Sequence, residues 1–216
     1  MRLLFITLIT CFTLSSFGQT LGIKMGLGVN NYSSDTISIQ NFTGQDTFNV
    51  WVDNRGITTY AGFFFRIPLK PFFIEIEPIF SNYRIPVKVQ SIQDWNGGSI
   101  AKYERFTAVD LSLMFGIRIW ETLRFQGGVT GQYYFSLDSE LVDFSTEYSN
   151  EWEQYMQSWK VGIGLDLRKI SIDINYENPL AEMGNNINFF GNDYQLNLNR
   201  RRLEIKIGLA LTGALK

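Results

Sequence analysis

The sequence predicts an all-β fold: an eight-stranded antiparallel up-and-down transmembrane β-barrel behind an N-terminal signal peptide. Three observations carry this. Apolar residues recur with a period of two in eight segments, which is the mark of strands with one apolar face. No segment sustains the 3.6-residue apolar period of a helix. The connections between the eight segments run long, short, long, short, long, short, long. An outer-membrane barrel, with short periplasmic turns and longer outer loops, has that alternation.

Residues 1–18 read as a cleaved secretory signal. Arg2 supplies the positive start, Leu3–Leu14 the apolar run, and Ser16-Phe17-Gly18 a small-x-small site before Gln19. Such a run is too short for a spanning helix, which needs about 20 residues. The barrel domain is then 19–216. Its single cysteine, Cys11, falls in the signal, and the chain has no histidine. A disulfide framework and a thiolate metal site are both ruled out, and no metal or cofactor is implied. A net charge of −2 excludes an electrostatic footprint for nucleic acid.

Taken in order, the first strand is Thr20–Asn30, with Leu21, Ile23, Met25, Leu27 and Val29 alternating against Gly22, Lys24, Gly26 and Gly28. After the polar stretch Asn31–Gly56, the second, Ile57–Ile67, sets Ile57, Ala61, Phe63 and Phe65 against Tyr60, Phe64 and Arg66. The turn Pro68–Pro71 leads to the third, Phe72–Tyr83, where Phe72, Ile74, Ile76 and Phe80 oppose Glu75 and Glu77. Pro78 cannot donate to a ladder, so a bulge is expected there. Arg84–Lys102 reads as a connection. The fourth strand, Tyr103–Ile119, and the fifth, Leu123–Phe135, flank the short Trp120-Glu121-Thr122. Their polar faces carry Asp110, Arg118 and Arg124. Ser136–Gln154 is the third long connection.

Next comes the clearest hairpin, Trp159–Glu177. Apolar residues occupy odd positions up to Leu167 and even positions from Ile170, as a chain reversal at Arg168-Lys169 requires. The register that follows pairs Ile163 with Ile174 and Lys160 with Glu177. Asn178–Asn199 is the last long connection, and Arg200–Leu211 the last strand, with Arg202, Glu204 and Lys206 on its polar face.

Alternation does not by itself say which face points outward. The apolar face carries no charged residue within the spans, as hydrocarbon demands. The other face holds Lys24, Arg66, Arg118, Arg124, Lys160, Arg202 and Lys206 against Glu75, Glu77, Asp110, Asp166, Asp173, Glu177 and Glu204. Equal numbers of cations and anions suit a narrow lumen, where buried charges must be paired. Tyr133, Phe135, Trp159 and Tyr176 lie at matching depth, as an aromatic girdle would. With Tyr60, Phe64 and Tyr134 also inside, the lumen is expected to be filled.

Catalytic chemistry finds no foothold. Barrel hydrolases draw their base from histidine, which is absent. Glu75 and Glu77 read as salt-bridge partners, and Gly127–Gly131 lies within a strand rather than in a phosphate loop. The third loop offers an interaction patch of Asp138, Glu140, Asp143, Glu147 and Trp152 without any Lys or Arg. It is either a solvated acidic loop or a site for a divalent cation or a basic partner. Arg201 should face outward, where lipid phosphates would be met.

Four stretches, FFIEIEPIFSNYR (72–84), AVDLSLMFGIRIW (108–120), RFQGGVTGQYYFSL (124–137) and the hairpin with INYENPL (174–180), resemble the PorT-like outer-membrane β-barrel family. The resemblance implies the fold and the location; it does not carry over the secretion role of the family's eponym. The chain departs from the family in having Ser112 where a proline is common. It also ends Leu211–Lys216 rather than on an aromatic residue. The expected function is that of a monomeric, non-enzymatic integral outer-membrane protein whose filled lumen is no open pore. It would contact outer-membrane lipid and lipopolysaccharide, and a protein partner through its loops. Two alternatives stand beside it: an accessory factor for secretion or assembly at the outer membrane, and a soluble periplasmic lipocalin-like carrier of an apolar ligand.

Overall fold

The period-two segments form strands that pair antiparallel, each with its neighbour in sequence. A computed structural model describes residues 19–40, 47–91, 99–140, 149–152, 154–181, 183–189, 192–213 and 215. The signal segment lies outside the described residues. Among those residues the strands are β1 (Thr20–Ser34), β2 (Ile37–Gln40), β3 (Thr47–Val52), β4 (Arg55–Leu69), β5 (Phe72–Ser91) and β6 (Ile100–Arg118). They continue as β7 (Leu123–Ser139), β8 (Ser149–Trp152), β9 (Tyr155–Leu167), β10 (Ile170–Pro179), β11 (Met183–Phe189) and β12 (Asn192–Ala210). The order β1-β4-β5-β6-β7-β9-β10-β12 closes on itself through a β1–β12 pairing. The result is an eight-stranded barrel, which leaves no unpaired edge along the wall.

The β9–β10 hairpin adopts the register read from its parity: Leu167 opposite Ile170, Ile163 opposite Ile174, Lys160 opposite Glu177. Its turn has neither Asn nor Gly. Arg168 itself takes the left-handed conformation at φ 57°, which a non-glycine residue adopts at some cost. The glycines of the lumen face make room for bulk elsewhere. A side chain at Gly164, opposite Asp173, would run into Arg124 and the Asp173 carboxylate.

Two expectations are corrected. Pro78 makes no bulge. The β4–β5 register is the same on both sides of it, from Gly62 opposite Ile79 to Phe65 opposite Ile76, and β5–β6 runs through it without a break. The missing N–H removes a ladder bond without displacing the strand. The register shift lies instead between β6 and β7, where Thr107 faces Ser136 but Ala108 faces Tyr134, so that Phe135 is the extra residue.

The long connections are also more regular than they read. β5 continues to Ser91 and β6 starts at Ile100, so most of Arg84–Lys102 is strand, and β2, β3, β8 and β11 add further pairing beyond the barrel wall. On β5 the outward residues up to Phe80 are apolar and the inward ones include Glu75 and Glu77. From Tyr83 the faces exchange character: Tyr83, Ile85, Val87 and Val89 are buried inside, while Arg84 is exposed. These residues, with Tyr32, Ile39, Val50, Phe106 and Leu198, form an apolar core at the outer end of the barrel. Beyond the hydrocarbon the outside is water, so burial reverts to apolar-in.

Candidate functional site

At the depth where the outer face is apolar, the interior is ionic. Lys24, Arg66, Glu75, Glu77, Asp110, Lys160, Asp173, Glu177, Glu204 and Lys206 are all buried there, and Arg118 is half-buried at the short-turn end. The alternation places them: each stands on the inward strand face, and its neighbours along the strand point outward.

The network can be followed along the axis. At the short-turn end Asp166 accepts from Arg66 at 2.9 Å, Arg124 at 3.0 Å and Arg118 at 3.3 Å. Arg66 also reaches Glu75 at 2.6 Å, and Arg124 reaches Asp173. At the centre Lys24 Nζ stands among three carboxylates, Glu75 at 2.6 Å, Asp173 at 2.8 Å and Glu77. Lys206 links Glu77 at 3.2 Å to Glu204 at 2.9 Å. Lys160 links Glu204 at 3.2 Å to Glu177 at 3.3 Å. Arg202 continues from Glu177 at 2.5 Å to the Tyr83 hydroxyl at 2.9 Å and Asp110 at 3.5 Å. Apart from the Tyr83 hydroxyl, every step pairs opposite charges, which is the condition for holding ions out of water. Aromatic rings fill the remaining space. Lys24 lies 5.0 Å from the Phe64 ring centre, Arg66 5.0 Å from Phe73, and Arg202 5.2 Å from Tyr60.

Glu75, Glu77 and Asp173 have the mutual spacing of a cation site, with their oxygens within 4.8 Å. Lys24 already supplies that cation. Arg200 and Glu104 are also inward and buried, and were not singled out from the sequence. Parity could have found both, since Arg200 matches Arg202 and Glu104 matches Asp110. Arg200 lies 3.2 Å from the Tyr134 hydroxyl and bonds Gln132 as well.

The loop patch lies only partly among the described residues. Glu140 accepts from the Tyr103 N–H at 3.2 Å and pairs with Arg105 at 3.3 Å. Asp138 is the β7 register partner of Arg105, and Trp152 sits in β8 opposite Asn185. Asp143 and Glu147 lie outside the described residues. The outward face also needs a correction. Arg105, inside the span read as Tyr103–Ile119, is exposed, as are Arg55, Arg84 and Arg201 at the same end. Arg105 and Arg201 both obey the alternation: Arg201 sits past Leu203, the outermost exposed apolar residue of β12, and Arg105 sits past Leu111, with exposed Tyr103 and Ile100 further out on β6.

The outward residues decide between membrane barrel and carrier. Met25, Leu27, Leu111, Ile163, Ile174, Ile205 and Ile207 are exposed. An apolar-ligand carrier would turn them inward, and the ionic interior offers such a ligand nothing. An apolar belt around a closed barrel with a polar interior is the membrane-spanning β form.

Comparison with known proteins agrees on the fold. No protein-family model matches the chain, and no curated protein matches it. Among solved structures it is similar to the outer membrane protein OprG from Pseudomonas aeruginosa, with a TM-score of 0.56 at 14% identity over 91% of this chain and 97% of that one. It is also similar to the outer membrane protein AlkL, determined in DMPC lipid bilayers, with a TM-score of 0.51 at 11% identity over 90% of this chain and 93% of that one. At these identities the likeness is one of architecture: the chain has the fold of the small eight-stranded outer-membrane β-barrels.

Proposed function

We propose that this is an integral outer-membrane β-barrel without enzymatic activity, structural or interacting through its outer loops, whose lumen is not an open diffusion pore. The observation that carries the reading is the continuous ionic chain from Asp166 to Asp110, which fills the interior at belt depth with buried, mutually paired side chains. An apolar core then caps the outer end. A solute would have to break several buried ion pairs to pass. On this reading residues 1–18 are removed on export and 19–216 form the monomeric barrel. Lipid and lipopolysaccharide surround the belt, and a protein partner would meet the loops. Kinship with the PorT-like barrels rests on the four sequence stretches named above.

Reconstitution tests it. Planar bilayers and liposome swelling with small sugars should show no conductance or permeation above protein-free controls. Steady single-channel currents would overturn the closed-lumen reading.

A further inference from the structure

The outer rim of the barrel is two-sided. On β12, β4 and β5 the exposed face passes from apolar to cationic within a few residues: Leu203 gives way to Arg201, Ile57 to Arg55, and Phe80 to Arg84. Two residues of strand correspond to about 7 Å and the four from Phe80 to Arg84 to about 13 Å, so these guanidiniums stand just beyond the apolar belt. On β7, β9 and β10 the same end carries exposed Tyr133, Phe135, Tyr155 and Tyr176.

The arginines are adjacent. Asn31 of β1 is the register partner of both Arg201 and Arg55, which places the two about 10 Å apart, two strand spacings. Arg84 follows Tyr83, the partner of Thr58, and so lies close to Arg55 on the rim. It also stands directly opposite Arg105 of β6, an unfavourable juxtaposition of like charges unless an anion lies between them. Arg105 has Glu140 at 3.3 Å. Arg55, Arg84 and Arg201 make no ion pair among the described residues.

Below them runs a second feature. A depression of about 620 Å³ in the outer face follows the β1–β12 seam, lined by Met25, Leu27, Val29, Leu203, Ile205 and Ile207. Its upper end, at Val29 and Leu203, is two residue pairs from Asn31 and Arg201.

We propose that this face binds lipopolysaccharide, with an acyl chain in the β1–β12 groove and headgroup phosphates among Arg201, Arg55 and Arg84. Guanidinium offers phosphate a planar, paired set of donors, and a headgroup bearing more than one phosphate matches several arginines spread over neighbouring strands. Among the described residues the aromatic side of the rim offers no such charge. The proposal rests on the outer-membrane reading above, with the long-loop end outside.

The test is titration of the folded, detergent-purified barrel with lipopolysaccharide, its enzymatically dephosphorylated form, phosphatidylglycerol and inorganic phosphate, read by native mass spectrometry. Intact lipopolysaccharide should bind at least about tenfold more tightly than the other three, the equivalent of one charge-assisted hydrogen bond. The triple variant R55Q/R84Q/R201Q should lose that preference while its unboiled gel mobility stays that of the folded barrel. Equal binding of the dephosphorylated form, or a triple variant that binds like the parent, overturns the site, and so does phosphatidylglycerol or free phosphate binding as well as lipopolysaccharide. Asp35→Cys, labelled on intact cells by a membrane-impermeant maleimide, separates the two readings. Labelling without lipopolysaccharide preference overturns this site alone, and absence of labelling overturns the outward orientation on which it depends.

Discussion

Two places in this chain switch the parity of their apolar residues, and the switches have opposite causes. Between Leu167 and Ile170 the chain reverses while its surroundings stay the same, so odd and even positions both end up facing lipid. Between Phe80 and Tyr83 the chain runs straight on, its register to β6 unbroken from Phe72 to Val89, and the surroundings change instead. Below the switch the apolar side is the outside and the ions are inside. Above it Ile85, Val87 and Val89 are inside, and Arg84 is outside. A parity switch therefore reports a change in the relation between strand and medium. It signals a turn only when the strand also ends.

Substitutions on either side of the second switch can break this contrast. The largest effect is expected where an ion must be paired in the lumen. Lys24→Met leaves Glu75, Glu77 and Asp173 without their shared cation and should cost about 3–5 kcal/mol. The urea midpoint of the folded barrel in detergent would read this, and an unchanged midpoint would mean the ionic core is not closed. Next is Ile163→Arg, on the lipid face at belt depth, with an expected loss of about 2–4 kcal/mol in lipid vesicles. A soluble fold with that face in a cavity would not respond to bilayer thickness, whereas this loss should.

Above the switch the rules are those of a water-soluble core. Ile85→Val should cost about 0.5–1.5 kcal/mol, measured by the same unfolding curve. Arg84→Ala, exposed and facing Arg105, should change stability by no more than about 0.5 kcal/mol without lipopolysaccharide present. If Arg84→Ala were as damaging as Ile163→Arg, the boundary would be misplaced.

Much of this was legible because the strand period is strict. Lys160 and Glu177 could be paired from parity alone, and so could the inward set on β1, β4 and β12. Outward exposure of Ile163 and Ile174 followed from charge balance on the opposite face. What stayed hidden depends on depth rather than on period. Arg84–Lys102 read as a connection because the exchange of faces at Phe80–Tyr83 imitates a turn. The apolar outer core, with contributions from Tyr32, Ile39 and Val50, joins segments distant in sequence, which no local pattern reveals. Pro78 misled for a different reason: proline marks a lost hydrogen bond, and here the pairing on β6 holds the strand in register without it.

The membrane boundary on β5 is the claim on which the rest depends. Single spin labels at Ile74, Ile76, Phe80, Asn82, Arg84, Ile85 and Val87, in barrels reconstituted into vesicles, measure it directly through access to oxygen and to a water-soluble nickel chelate. Labels at 74, 76 and 80 should favour oxygen, those at 82 and 84 should favour nickel, and those at 85 and 87 should be shielded from both. Oxygen preference persisting through 84, or nickel access at 85 and 87, would contradict the account.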